Sequence, residues 1–166
     1  IKQLALQMKT IEQELKQLTQ HNEAIARVQQ INGIGLLTST AIVSAAGSPH
    51  YFKTGRHFAA WLGLTHREYS SGNTRRLGRI SKQGDRYGRM LIIHGARSVM
   101  ARAKQLKLKQ PEQLTRLQRW CIQLEQRVGH NKATVALANK LARIIWATWK
   151  YEREFNANYA KRYATA

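Results

Sequence analysis

His66-Arg67-Glu68-Tyr69-Ser70-Ser71-Gly72-Asn73-Thr74-Arg75-Arg76-Leu77-Gly78-Arg79-Ile80-Ser81-Lys82-Gln83-Gly84-Asp85-Arg86-Tyr87-Gly88-Arg89 is the stretch whose reading decides the fold. It is dense in arginine, nearly free of aliphatic side chains and broken by glycines at 72, 78, 84 and 88. Apolar runs flank it, Phe58-Ala59-Ala60-Trp61-Leu62 before and Met90-Leu91-Ile92-Ile93 after. Polar loops of this length between buried elements are mostly either functional or disordered. Tyr69, Leu77, Ile80 and Tyr87 give this one anchors of its own, so we read an ordered anion-handling insert. A short hairpin is predicted, residues 65–69 against 74–77, turning at Ser71-Gly72-Asn73, because Gly and Asn tolerate the positive φ of tight turns.

Working outward, the main segments on either side read as helices joined by short loops. Upstream, Thr54 can cap a short helix carrying Phe58, Trp61 and Leu62 to a Gly63 stop, with Tyr51 and Phe52 expected to turn inward before it. Downstream, a long helix is predicted from about Gly84 or Asp85 to about Leu106, burying Ile92, Ile93, Ala96, Met100 and Ala103. Pro111 is expected at the first position of the next helix, which holds Leu114, Leu117, Trp120, Cys121, Leu124 and Val128. The last helix carries Val135, Leu137, Leu141, Ile144, Ile145, Thr148 and Trp149.

Before the insert, residues 28–43 read as the end of one helix, the turn Ile31-Asn32-Gly33-Ile34-Gly35, and a second helix. This is a helix-hairpin-helix pattern, in which Gly33 and Gly35 allow a tight turn and the following N–H groups face a phosphate. A plain turn between helices competes with it, and charge favours the DNA contact. Residues 1–28 follow heptads, with Ile1, Met8, Leu15 and Asn22 at a and Leu4, Ile11, Leu18 and Ile25 at d. Strict three-four spacing predicts a coiled coil, with Asn22 as a register-setting polar seam residue. The fold expected is therefore all-α with an irregular loop or short β-hairpin insert: coiled coil 1–28, helical domain 29–155, basic tail 156–166.

The chain has 166 residues and a formal net charge of +19, from 28 Lys and Arg against 9 Asp and Glu. Such an imbalance points to polyanions, and first to DNA, bound with weak sequence selectivity and strong salt dependence. The basic residues are spread over several elements rather than concentrated on one amphipathic helix, and no apolar run approaches the roughly 20 residues of a membrane span, so no membrane partner is expected. The single Cys121 excludes an intramolecular disulfide framework and suits a reducing cytoplasm. The acids and histidines show no ligand spacing, so no metal site is predicted in the chain. The chain opens at Ile1 inside a running pattern, and a piece of a longer protein is expected.

Candidate nucleophiles are Ser70 and Ser71, with Tyr69 and Ser81 behind them, among Arg75, Arg76, Arg79, Lys82, Arg86 and Arg89. A hydroxyl attacking a phosphodiester needs surrounding positive charge, and arginine forks suit phosphate oxygens. On spacing alone an ordinary turn remains open.

Five runs together carry a resemblance: residues 31–35, Phe58-Ala59-Ala60-Trp61-Leu62-Gly63-Leu64, Tyr69-Ser70-Ser71-Gly72, Ile80-Ser81-Lys82-Gln83-Gly84-Asp85 and His94-Gly95-Ala96-Arg97. In this order the chain resembles the C-terminal half of the IS-one-ten family of insertion-sequence transposases, relatives of Piv-type DNA invertases. The resemblance implies a bacterial, nucleoid-associated recombinase with a phosphoserine intermediate, acting as a homo-oligomer and in some members with a structured guide RNA. It makes Ser71, directly before Gly72, the catalytic serine. It also implies a RuvC-like domain elsewhere whose carboxylates hold a divalent metal such as Mg. Gly33, Gly35, Arg75, Arg76, Arg79, Lys82 and Arg86 are the expected DNA contacts. A non-catalytic helix-hairpin-helix module dimerised by the coiled coil is the rival reading, and a scaffold for RNA packing a third.

Overall fold

The computed structural model describes residues 2–158. Ile1 of the heptads and residues 159–166 of the expected tail lie outside them. Seven helices and one two-stranded sheet follow in order: α1 (Lys2–Thr19), α2 (Glu23–Gln29), α3 (Leu36–Ala46), α4 (Gly55–Trp61), β1 (His66–Glu68), β2 (Leu77–Ile80), α5 (Arg86–Lys109), α6 (Arg116–Val128) and α7 (His130–Lys150). The expected all-α body with a short hairpin insert is what the chain adopts.

α7 is the core helix. Its Ala133, Leu137, Ala138, Leu141, Ala142, Ile145 and Trp149 are buried, and it packs against α2, α4, α5 and α6. Alanines among the larger side chains let the neighbouring helices approach closely. Trp146 Nε1 donates to Pro49 O at 3.1 Å, satisfying a buried indole. Phe52, Phe58 and Trp61 pack edge-on and tilted at 5.0–5.6 Å between centroids. Tyr51, expected inside, is 79 % exposed; it ends a short 3₁₀ turn, and only Phe52 reaches the cluster. Cys121 is buried, donates to Gln118 O, and has its thiol pushed up to about 11 chiefly by burial. On the α5–α6 side, Glu125 takes hydrogen bonds from Lys104 (2.7 Å) and His130 (2.6 Å). The Lys104 bond is the main reason its carboxyl titrates below the usual range.

Three boundaries differ from expectation. The heptad helix does not run to residue 28: α1 stops at Thr19, and Asn22 is the N-cap of α2, its side chain accepting from Ile25 N at 3.1 Å. An Asn followed by Glu in the first turn is a helix start, and that local signal overrides the seam. Ile25 and Val28 then belong to the core, whereas Leu4, Met8, Ile11 and Leu18 of α1 are exposed. Pro111 opens a separate 3₁₀ turn (Pro111–Gln113) rather than α6. The true start is the Thr115–Gln118 capping box.

α5 is the rail on which both candidate elements are mounted. Asp85 caps its N-terminus by accepting from Gly88 N. Nine residues beyond Arg86, about 14 Å along the helix, Gly95 meets the α2–α3 turn. Gly33 in that turn has φ +86, and a Cβ there would stand 2.6 Å from Gly95 O and from Val99 Cγ2. Backbone thus packs on backbone, with Ile31 and Ile34 of the turn inserted in the core.

In an exposed helix, Gly→Ala stabilises by roughly 1 kcal/mol. Gly95→Ala should do the opposite here, lowering stability by about 2–4 kcal/mol in urea unfolding, and Gly33→Ala should cost a similar amount.

Candidate nucleic-acid interface and serine hairpin

The insert is a hairpin longer than expected. Tyr69 N donates to Arg76 O (2.9 Å), and Ser71 and Thr74 exchange both backbone bonds (3.2 and 3.1 Å). Gly72 and Asn73 form a two-residue loop with Gly72 at φ +55, the arrangement of a turn whose first loop residue must be left-handed. The returning strand continues past Leu77 to Ile80, where the register shifts: Glu68 faces Leu77 but His66 faces Ile80. β2 therefore carries one extra residue, a bulge. Gly78 sits in it under the Tyr69 ring, where a Cβ would come within 2.9 Å of Tyr69 Cε2.

This register sorts the tip residues by face. Since Ser71 opposes Thr74 and Tyr69 opposes Arg76, alternation puts those four on one side. Ser70, Arg75, Glu68 and Leu77 fall on the other. Contacts on that second side agree: Ser70 Oγ donates to Glu68 Oε1 at 2.7 Å, and Arg75 Nε stands 3.5 Å from the same oxygen. Ser70 Oγ also accepts from Arg76 N at 3.1 Å. Ser70 is thus engaged in the hairpin's own bonding, whereas Ser71 Oγ is exposed and has no hydrogen-bond partner among the described residues. Glu68 is a residue that sequence reading passed over, although two residues from Ser70 on one strand means the same face.

The expected cations do not form one cluster. Arg76 shares the face of Ser71, while Arg75 is turned away toward Glu68 in an exposed pair of little energetic weight. Arg79 lies beyond the bulge, exposed. Lys82 and Arg86 stand at the hairpin root, past the end of β2 at Ile80, which by itself is on the order of 20 Å of strand from Thr74. Lys82 is held at φ +56, unusual for a residue with a side chain, by its N–H donating to Gly63 O at 3.1 Å. Arg89 Nη1 donates to Leu62 O at 3.0 Å and is structural.

On the second element, Gly33 is half-buried in packing, and Gly35 is the exposed N-cap of α3. No side chain caps that end, which leaves the first N–H groups after Gly35 without a side-chain acceptor, as an anion site needs. For a divalent metal the acids do not fit: Glu68, Asp85 and Glu125 are engaged as described. Among the described residues no group of three or more His, Cys, Asp or Glu converges. Nor is any described helix long and apolar enough to cross a membrane.

The profile described as Transposase IS116/IS110/IS902 family matches residues 25–111, from α2 through the hairpin and α5. The chain belongs to this family. It is similar to a probable family 20 transposase of Pseudomonas aeruginosa, 40 % identical over 154 residues, covering 89 % of this chain and 44 % of that protein. It is also similar to the transposase for insertion sequence element IS1111A of Coxiella burnetii, 42 % identical over 136 residues, covering 82 % and 35 %. A third relative is the transposase for element IS1328 of Yersinia enterocolitica, 36 % identical over 143 residues, covering 86 % and 41 %. The chain thus spans less than half the length of each of these relatives. In this family member, the α2–α3 turn, the hairpin and α5 fall inside the matched span, while α1, α6 and α7 fall outside it.

If the Ser70 hydroxyl braces the hairpin, Ser70→Ala should cost about 1 kcal/mol locally and speed amide exchange at Arg76 roughly fivefold. Unchanged exchange at that amide would contradict the brace.

Proposed function

We propose that this chain is the serine-bearing part of a transposase that cleaves and rejoins DNA, with Ser71 as the nucleophile. The reading rests most on one observation: at the tip of an exposed hairpin, Ser71 Oγ has no internal partner among the described residues and shares its face with Arg76. In the step proposed, Ser71 Oγ bonds to phosphorus as one P–O bond of the backbone breaks. The hydroxyl proton leaves to a base, and the departing sugar oxygen takes up a proton. Arg76 neutralises charge on the phosphate as it becomes five-coordinate, a role suited to a guanidinium fork. Ser70 and Glu68 act on the far face, holding the tip in register.

A divalent metal, held by carboxylates outside the described residues, would polarise the phosphate oxygens when bound. The DNA backbone is met by the uncapped N–H groups after Gly35 and by the cations of the hairpin, contacts that position the duplex without reading sequence. The exposed leucines, methionine and isoleucine of α1 suit self-association, which would bring two hairpins to one substrate.

The test uses a full-length protein carrying this chain, nicked or suicide duplex substrates and a denaturing gel for covalent adducts. Ser71→Ala should abolish the adduct and strand exchange while DNA affinity stays within a few-fold, the pattern of a lost transition-state group. Ser70→Ala should keep much of the activity. Adduct surviving in Ser71→Ala overturns the assignment, and loss in Ser70→Ala alone moves it to the neighbour.

A further inference from the structure

Outside the span matched by the family profile, the seam between α6 and α7 gathers cations that the hairpin reading does not use. Lys140 is half-buried, its Nζ 3.8 Å from the centre of the Trp120 ring. Arg116 lies one turn before Trp120 on α6, and Arg143 one turn after Lys140 on α7, so all four share the seam. Both arginines are exposed. Among the described residues, the ion pairs use Arg27, Arg75, Lys104 and His130, and no acid is paired with Arg116, Lys140 or Arg143.

We propose that this seam is a second phosphate-binding surface, gripping the backbone of duplex DNA beside the hairpin root; this rests on the reading of DNA as substrate. Its position supports the assignment. Asn139, next to Lys140, donates from Nδ2 to Leu64 O at 3.0 Å, and Arg143 packs its Cα and Cβ on Gly55 of α4. The seam therefore abuts the segment from which the hairpin rises. Its electrostatics support it as well. Burial lowers the proton affinity of Lys140 most, and repulsion from Arg116 and Arg143 lowers it further. A phosphate between the three cations relieves that repulsion and releases counterions.

The choice of duplex over a single strand follows from Trp120. Proteins that hold single strands stack bases on open aromatic faces. Here one face of the ring is covered by the Lys140 ammonium, and Trp120 packs against the hydrophobic core. What remains is a rigid, cationic surface with no free stacking platform, which fits a polymer whose bases are already stacked inside.

The experiment measures affinity of the 166-residue chain for random-sequence duplex DNA, and for single-stranded RNA of equal length, across a salt series. Lys140→Met keeps the apolar stem on Trp120 and removes the charge. Arg143→Gln changes an exposed side chain, and an unchanged circular dichroism spectrum is the check on its folding. Arg143→Gln should lower the slope of log K against log salt by roughly one unit, and the double variant by roughly two. At about 0.1 M salt the double variant should bind duplex about ten- to a hundredfold more weakly. An unchanged slope in both variants overturns the proposal, and a loss confined to RNA overturns the duplex assignment. Arg76→Gln, measured in parallel, reports on the hairpin. A slope change there with silent seam variants leaves the hairpin contact standing without the seam, and the converse removes the hairpin contact while the seam stands.

Discussion

Everything proposed for the hairpin depends on a junction in which backbone is bonded to backbone. Asp85 N donates to Trp61 O (2.9 Å), Lys82 N to Gly63 O (3.1 Å) and Ser81 N to Thr65 O (2.8 Å). Gly63 at φ +68 and Gly84 at φ +113 make the approach possible, since a Cβ on either would collide with main-chain atoms of the facing segment. Arg89 ties the same corner through Leu62 O. The exposed arm, which buries little of its own, is thereby fixed to α4 and to the first turn of α5. Without those bonds an arginine-rich hairpin of this exposure has few other contacts to fix its direction.

A second constraint is electrical. The chain has 9 acids for 28 Lys and Arg, and several are consumed internally: Glu23 with Arg27, Glu68 with Ser70 and Arg75, Asp85 at a helix cap, Glu125 with Lys104 and His130. The remaining cations repel one another in the free protein, which limits its stability and favours any polyanion that covers them. The hairpin tip and the α6–α7 seam are two such surfaces, and the N-terminus of α3 is a third, electropositive through its uncapped N–H groups rather than through a side chain. Two of them, the tip and the α3 end, are mounted on α5 through glycine contacts, and the seam joins them through Asn139.

Much of this was legible in the sequence because it rests on local chemistry. Thr54 as a cap, Asp85 at the start of the long helix, Gly72-Asn73 in a turn and the apolar stripe of the last helix all follow from short-range rules. Two local signals compete at the boundaries that differ: Asn22 fits both a heptad seam and a helix cap and acts as the cap, and the capping box at Thr115 rather than Pro111 starts α6. The candidate site was legible in kind but not in arrangement. Which arginine shares a face with Ser71 depends on strand register and on a one-residue bulge at Gly78, and neither leaves a trace in composition. The packing of Gly95 against Gly33 leaves no local signal, because the two glycines are sixty-two positions apart.

The claim that carries the rest is that the hairpin is an ordered arm docked at its root. Native-state hydrogen exchange at the amides of Ser81, Lys82 and Asp85 tests it directly. The account predicts protection there comparable to that of the buried part of α5, because opening these bonds requires breaking the junction with α4. Exchange at those three amides as fast as in the exposed tip would mean a loose tether, and would contradict it.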